Sequence, residues 1–126
     1  MADRKRILVA DDDPDLLDLL KMNLSAQGYE ILTAANGRDA LQIASSEPLD
    51  LAILDVMMPY VDGYHVANEI AGMSDDPPRI LIMTSRDSSR EKGVAALAGA
   101  VSMLQKPFTL SELNESVAGI LEKGEQ

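Results

Sequence analysis

The sequence contains no cysteine and no tryptophan, one phenylalanine, three tyrosines and a single histidine. Without cysteine there can be no disulfide, no thiolate metal site and no cysteine nucleophile, which is compatible with a reducing compartment. So few aromatic side chains argue against a stacking platform for bases or sugars. Positive charge is also scarce, with 11 Lys and Arg against 21 Asp and Glu and a formal net charge of −10. That surplus repels phosphate backbones and anionic lipid, so neither direct nucleic-acid binding nor membrane binding is expected, and partners should be cations or basic surfaces. No apolar run approaches the length of a membrane span. The stretch from Met1 to Arg6 leads into a short strand, not a signal-peptide core, and the expected location is the cytoplasm. No glycine-rich loop follows the first strand, which removes the phosphate-cradling signature of nucleotide-binding folds.

What is present suits one folded domain. The chain has 126 residues, 46% hydrophobic and 25% charged, with no internal repeat and no low-complexity segment. That length buries a core without staples. Short apolar runs without polar alternation read as strands covered on both faces. They fall at Lys5 to Ala10, Glu30 to Ala34, Leu51 to Leu54, Arg79 to Met83 and Ser102 to Gln105. Helical spacing follows each. Leu16, Leu17, Leu20 and Leu24 form one stripe, closed near Gly28, and Ala40, Leu41 and Ala44 form another, ended by Pro48. A third helix is expected from about Tyr64 to Met73, a fourth from Ser88 to Ala98, and a fifth to about Lys123 on Leu113, Val117, Ile120 and Leu121. Asp13 with Pro14 is a helix start, and Thr109 with Glu112 is a capping box flanked by the staple pair Phe108 and Leu113. Asn36-Gly37 fits either a hairpin or a helix start and is taken as the latter. Five strands alternating with five helices predict an α/β fold, a (βα)5 sandwich with a parallel sheet between two helical layers.

The chemistry gathers at the strand ends. The third run leads into Asp55 and stops at Pro59, and in open α/β sheets ligands bind beyond the carboxyl ends of the strands. Alone, Asp55 reads more simply as a capping or turn aspartate. The first strand, however, ends in Asp11, Asp12 and Asp13, and like charges this close raise one another's pKa unless a cation sits among them. The fourth strand delivers Thr84 and the fifth delivers Lys106. His65 has no second ligand or base nearby in the pattern and reads as a helix-surface residue.

In order and spacing, the segments from Ile7 to Asp13, from Leu54 to Gly63, from Met83 to Arg86 and from Lys106 to Phe108 resemble the receiver domain of two-component response regulators, the family of the chemotaxis response regulator. The resemblance covers nearly the whole chain. It implies a flavodoxin-like sandwich with strand order 2-1-3-4-5. Asp55 resembles the phosphoacceptor, taking a phosphoryl group from a histidine kinase or histidine phosphotransfer protein. Asp11 and Asp12 resemble the acidic pair that holds Mg²⁺ or Mn²⁺ together with Asp55 and the backbone carbonyl of Met57. Lys106 resembles the lysine that neutralises the acceptor and its phosphoryl group, with a cis bond to Pro107. Thr84 resembles the switch hydroxyl that moves toward the phosphoryl oxygen. Met57 and Arg86 flank the site by family position. The family's activity is confined to its own phosphorylation and dephosphorylation, so no separate enzyme activity is expected. Its output passes through the surface of the fourth helix, fifth strand and fifth helix to a partner protein, an output domain or a homodimer partner.

One position departs from the pattern. Where the family usually carries Tyr or Phe three residues before the lysine, this chain has Met103, and Ala100, Val101 and Ser102 replace more usual acidic residues. A flexible thioether specifies a rotamer poorly, so a modified output surface is expected. Two other readings compete. A phosphorylation-independent interaction module is favoured slightly by Met103 and opposed by the intact acidic, hydroxyl and lysine set. A haloacid-dehalogenase-like phosphatase would need a second Asp two residues after the nucleophile, where Met57 stands. Residues 1–126 are expected to be one receiver domain with its core at about 5–123, either a stand-alone protein or a domain excised from a longer one.

Overall fold

In the computed structural model, which describes residues 4–86 and 88–123, five parallel strands alternate with five helices. The ends of the expected domain, residues 1–3 and 124–126, lie outside the described residues. The strands are β1 (Arg6–Ala10), β2 (Glu30–Ala34), β3 (Leu51–Asp55), β4 (Arg79–Thr84) and β5 (Ser102–Gln105). The helices are α1 (Pro14–Ala26), α2 (Gly37–Ser46), α3 (Gly63–Ala71), α4 (Ser88–Leu97) and α5 (Leu110–Ala118). Sheet order is 2-1-3-4-5, the flavodoxin-like arrangement anticipated. No helix among the described residues is long and apolar enough to cross a membrane.

Strand periodicity divides the core into two layers. Ile7, Val9, Ile53, Leu81 and Met83 point to the face covered by Leu17, Leu20 and Leu24 of α1 and Leu113 and Val117 of α5. Their neighbours Leu8, Ala10, Leu54, Ile80 and Ile82 point the other way, onto Ala40 of α2, Val66 and Ile70 of α3 and Ala95 of α4. Successive side chains of a strand face opposite ways, so an unbroken apolar run is what a doubly covered strand requires. The single-face apolar stripes of the helices match this from outside.

Helix starts follow local hydrogen-bond chemistry. Asp13 accepts from the Asp15 N–H at 3.0 Å, with Pro14 at the first helical position, and Asn36 accepts from the Asp39 N–H at 2.8 Å, so Asn36-Gly37 begins a helix and not a hairpin. The capping box closes in both directions, with Thr109 N–H donating to Glu112 at 2.8 Å and Glu112 N–H donating to the Thr109 hydroxyl at 3.0 Å. Helix boundaries differ most from expectation at α3 and α5. Asp62 caps α3 through the His65 N–H at 2.9 Å and so starts that helix one residue early, and Gly72 ends it short of Met73. α5 stops at Ala118, where Gly119–Lys123 continues as a π-helical turn. That wider turn sets two consecutive apolar residues, Ile120 and Leu121, into the core.

Candidate functional site

Sheet register decides which residues meet. Ala10 pairs with Leu54, so Asp11 comes off β1 level with Asp55 at the end of β3. Asp55 pairs with Met83, placing Thr84 one residue further along β4, and Thr84 pairs with Gln105, the residue before Lys106. The ladder runs past the formal strand ends, since Asp11 N–H donates to Ala34 at 3.1 Å, Val56 N–H to Met83 at 3.1 Å and Lys106 N–H to Thr84 at 2.7 Å. These bonds fix the backbone from which the polar side chains emerge. Behind Asp55 the packing is closer still. A Cβ on Gly63 would lie 2.2 Å from the Asp55 carbonyl oxygen, so only glycine lets α3 approach there.

Asp11, Asp55 and Thr84 are the buried polar residues of the described chain, each at most 5% exposed. The ammonium of Lys106 bridges two of them, 2.8 Å from Asp11 Oδ2 and 3.1 Å from Asp55 Oδ1. Asp11 Oδ1 accepts from the Asp13 N–H at 2.9 Å, which turns its carboxylate across the sheet edge. Asp12 is exposed beside them, and Asp11, Asp12 and Asp55 each offer a carboxylate oxygen within 4.8 Å of the others. Three hard oxygen donors this close suit a hard divalent cation. The peptide bond between Lys106 and Pro107 is cis, as expected.

Electrostatics show what the cluster needs. Burial pushes the Asp55 carboxyl above the ordinary Asp value and the Asp11 charge adds to it, outweighing the pull of Lys106 in the other direction. Burial works against the Lys106 charge, yet its hydrogen bond to Asp11, the Asp11 charge and then Asp55 hold the ammonium above the ordinary Lys value. One lysine therefore does not neutralise the acidic cluster, and room for a further positive charge remains in the electrostatic balance.

Asp11, Asp12, Asp55, Thr84 and Lys106 stand at this sheet edge, and two other positions singled out from sequence stand apart from it. Met103 lies on β5 opposite Ile82 and packs against the α2–α3–α4 layer, away from the carboxylates. His65 sits on the surface of α3, 3.8 Å from Glu69 one turn on. Met57 is exposed, with its thioether 3.3 Å from Arg86 Nη2. A groove of about 500 Å³ opens beside Asp12, bounded by Met57, Asp62, Tyr64 and Arg86. Sequence reasoning missed the connection from Arg86 to Glu91 and from Glu91 to the Tyr64 hydroxyl, because Tyr64 and Glu91 lie on different helices and carry no motif.

Residues 7–118 match the response regulator receiver domain family. The chain belongs to that family. It is 42% identical over 118 residues to response regulator MprA of Mycolicibacterium vanbaalenii, a match covering 94% of this chain and 51% of that protein. It is 38% identical over 121 residues to the alkaline phosphatase synthesis transcriptional regulatory protein PhoP of Bacillus subtilis, covering 96% and 50%. The chain thus spans about half the length of these curated relatives. Among solved structures it is similar to the response regulator TrrA of Thermotoga maritima in complex with Mg²⁺-BeF, at 40% identity, TM-score 0.83 and coverage of 93% and 99%. It also resembles the CheY-like receiver domain of Methanospirillum hungatei, at 28% identity and TM-score 0.89, covering 98% of each chain. As a receiver domain this chain is a regulatory module of two-component signalling, and its acidic trio stands at the carboxyl edge of the sheet.

Proposed function

We propose that this receiver is a phosphoacceptor switch in which Asp55 takes a phosphoryl group from the phosphohistidine of a kinase or phosphotransfer protein. The observation that supports this reading best is Lys106 bridging two buried carboxylates, Asp11 and Asp55, at the carboxyl edge of the sheet. A carboxylate oxygen of Asp55 attacks phosphorus, a P–O bond forms, the P–N bond breaks, and its electron pair leaves with the imidazole. A carboxylate is already a competent nucleophile; the obstacle is an anion approaching an anion, so catalysis here is charge neutralisation and alignment. Asp11, Asp12 and Asp55 fit Mg²⁺ or Mn²⁺, with the Met57 carbonyl as a further ligand. The ion would neutralise charge on the phosphoryl oxygens. Lys106, held between the carboxylates in the resting state, can follow the negative charge onto the phosphoryl group.

Thr84 supplies the readout. Its hydroxyl is buried one residue beyond the level of Asp55 and can donate to a phosphoryl oxygen. A hydrogen bond to a charged acceptor contributes about 1.5–3 kcal/mol, enough to bias two conformations of the α4, β5 and α5 surface. Met103 then reports the change by repacking, without the hydroxyl of an aromatic switch. Phosphate leaves by hydrolysis at the same site, so the domain catalyses only its own modification. The surface would act in the cytoplasm on a downstream protein, an output domain or a second copy of the chain. Residues 1–126 form one receiver with its core at about 5–123.

The test is incorporation of phosphate from a small phosphodonor in the presence of Mg²⁺. Wild-type protein should gain one phosphoryl group by intact mass, and Asp55→Asn none. Equal labelling of Asp55→Asn would sink the assignment, whereas a wild-type protein that stays unlabelled and ignores Mg²⁺ would favour the phosphorylation-independent interaction module.

A further inference from the structure

A chain of side chains links the acceptor edge to two helices. Tyr64, in the first turn of α3, donates its hydroxyl to Oε1 of Glu91 in the first turn of α4. The same oxygen lies 3.6 Å from Nη1 of Arg86, while Nη2 of Arg86 reaches the Met57 sulfur at 3.3 Å. Met57 is two residues past Asp55, and Arg86 is two residues past Thr84. The Arg86 backbone N–H, in turn, donates to the Thr84 hydroxyl oxygen at 3.0 Å.

Geometry makes these contacts interdependent. Only 14% of the Glu91 side chain is exposed, so its carboxylate depends on Tyr64 and Arg86 for the partners that water would otherwise supply. The Tyr64 phenol is pushed well above its ordinary range, first by burial and then by Glu91, and it therefore remains a donor at any physiological pH. A rotamer change that carries the Thr84 oxygen toward Asp55 alters its bond with the Arg86 N–H. The position of Arg86 and the rotamer of Thr84 are thus coupled through one hydrogen bond.

We propose that Tyr64, Glu91 and Arg86 form a latch between α3 and α4 that holds Arg86, and through it the Thr84 hydroxyl, in the resting position. This rests on the reading of Asp55 and Thr84 as acceptor and switch. Tyr64 and Glu91 are positioning residues, since neither touches the acceptor. By linkage, a contact present only in the resting state lowers affinity for anything that stabilises the activated one.

Beryllofluoride with Mg²⁺ provides the probe, titrated into the intact chain and into Tyr64→Phe, Glu91→Ala and the double variant, with the Met103 methyl followed by NMR. Each single variant should bind beryllofluoride roughly fivefold more tightly, the gain expected from removing one net hydrogen bond from the resting state. The ligand-free Met103 signal should already lie part-way toward its bound position. The double variant should exceed neither single by more than about twofold, because both break the same chain. Glu91→Gln, which keeps the shape of the side chain, should fall between wild type and Glu91→Ala. Unchanged or weakened affinity in the single variants overturns the latch, and so does an additive double. A residue that merely supported the fold would lower the melting temperature without tightening binding. If wild-type protein itself fails to bind beryllofluoride with Mg²⁺, the acceptor reading fails first.

Discussion

Where the strands begin, Arg6 meets Glu47 at 3.0 Å and Glu30 at 3.4 Å, and its backbone N–H donates to Asp50 at 2.8 Å. Where the strands end, Lys106 meets Asp11 at 2.8 Å and Asp55 at 3.1 Å, with Asp12 alongside. Each edge of the sheet thus sets carboxylates beside a basic side chain, Arg6 at one and Lys106 at the other. Solvent separates them: the Glu30 and Glu47 side chains are 51% and 41% exposed, those of Asp11 and Asp55 only 1% and 7%. An exposed carboxylate keeps most of its hydration whether or not it is paired, whereas a buried one depends on its cation. Acidity alone therefore distinguishes nothing in a chain of net charge −10; burial of acidity is what sets the Asp11–Asp55 end apart.

Removing the basic residue from each edge tests this most severely. Lys106→Ala leaves Asp11 and Asp55 facing each other with little water, and should cost about 2 kcal/mol, below the 3–5 kcal/mol of a fully buried pair because Lys106 is itself 24% exposed. Millimolar Mg²⁺ should recover most of that loss in urea unfolding, since the ion occupies the same negative field. Arg6→Ala should cost about 1 kcal/mol and show no selective recovery with Mg²⁺. Equal losses, or equal recovery at both edges, would remove the distinction.

Much of this contrast is legible in the order of residues along the chain. Asp11, Asp55 and Thr84 are each placed by an apolar run that ends at them, Lys106 follows the short strand Ser102–Gln105, and parallel pairing brings the ends of such strands together. The interior of the fold can be read for the same reason, because a doubly covered strand is apolar along its length and turns polar only where it ends. Lateral contact cannot be read this way. Nothing in the spacing of Tyr64 and Glu91 says that α3 and α4 bring them together, and nothing before residue 119 predicts a π-helical turn in place of a continued α-helix. Met103 is legible as a departure from the family pattern, but not as a side chain facing the α2–α3–α4 layer.

The raised carboxyl of Asp55 sharpens the comparison through pH. A folded-state value above the ordinary Asp value means the folded protein binds this proton more tightly than the unfolded chain, so stability falls as pH rises from about 3.8 through the folded value and stays lower above it. Asp55→Asn abolishes that slope. Without divalent ions it should be more stable than wild type at neutral pH, with the difference vanishing below the unfolded-state value. Lys106 retains Asp11 as a partner in this variant, which limits the loss on the other side of the balance. Thermal unfolding across the acid range checks both sign and window. A variant less stable than wild type at neutral pH would show that the Asp55–Lys106 pair outweighs burial.

At the opposite edge, Glu47→Gln should do almost nothing. Arg6 keeps Glu30 at 3.4 Å, and the new amide oxygen can still accept from the guanidinium. Exposed pairs of this kind contribute about 0.2–1 kcal/mol, part of which the amide preserves, so a loss under about 0.5 kcal/mol is expected. Salt should reduce even that difference, because solvent ions screen exposed charges effectively. Phosphate incorporation and Mg²⁺ response should match wild type, with the full length of the sheet between Glu47 and Asp55. If Glu47→Gln instead altered either response, the two ends of the sheet would be coupled through the strands themselves, and burial would no longer suffice to set them apart.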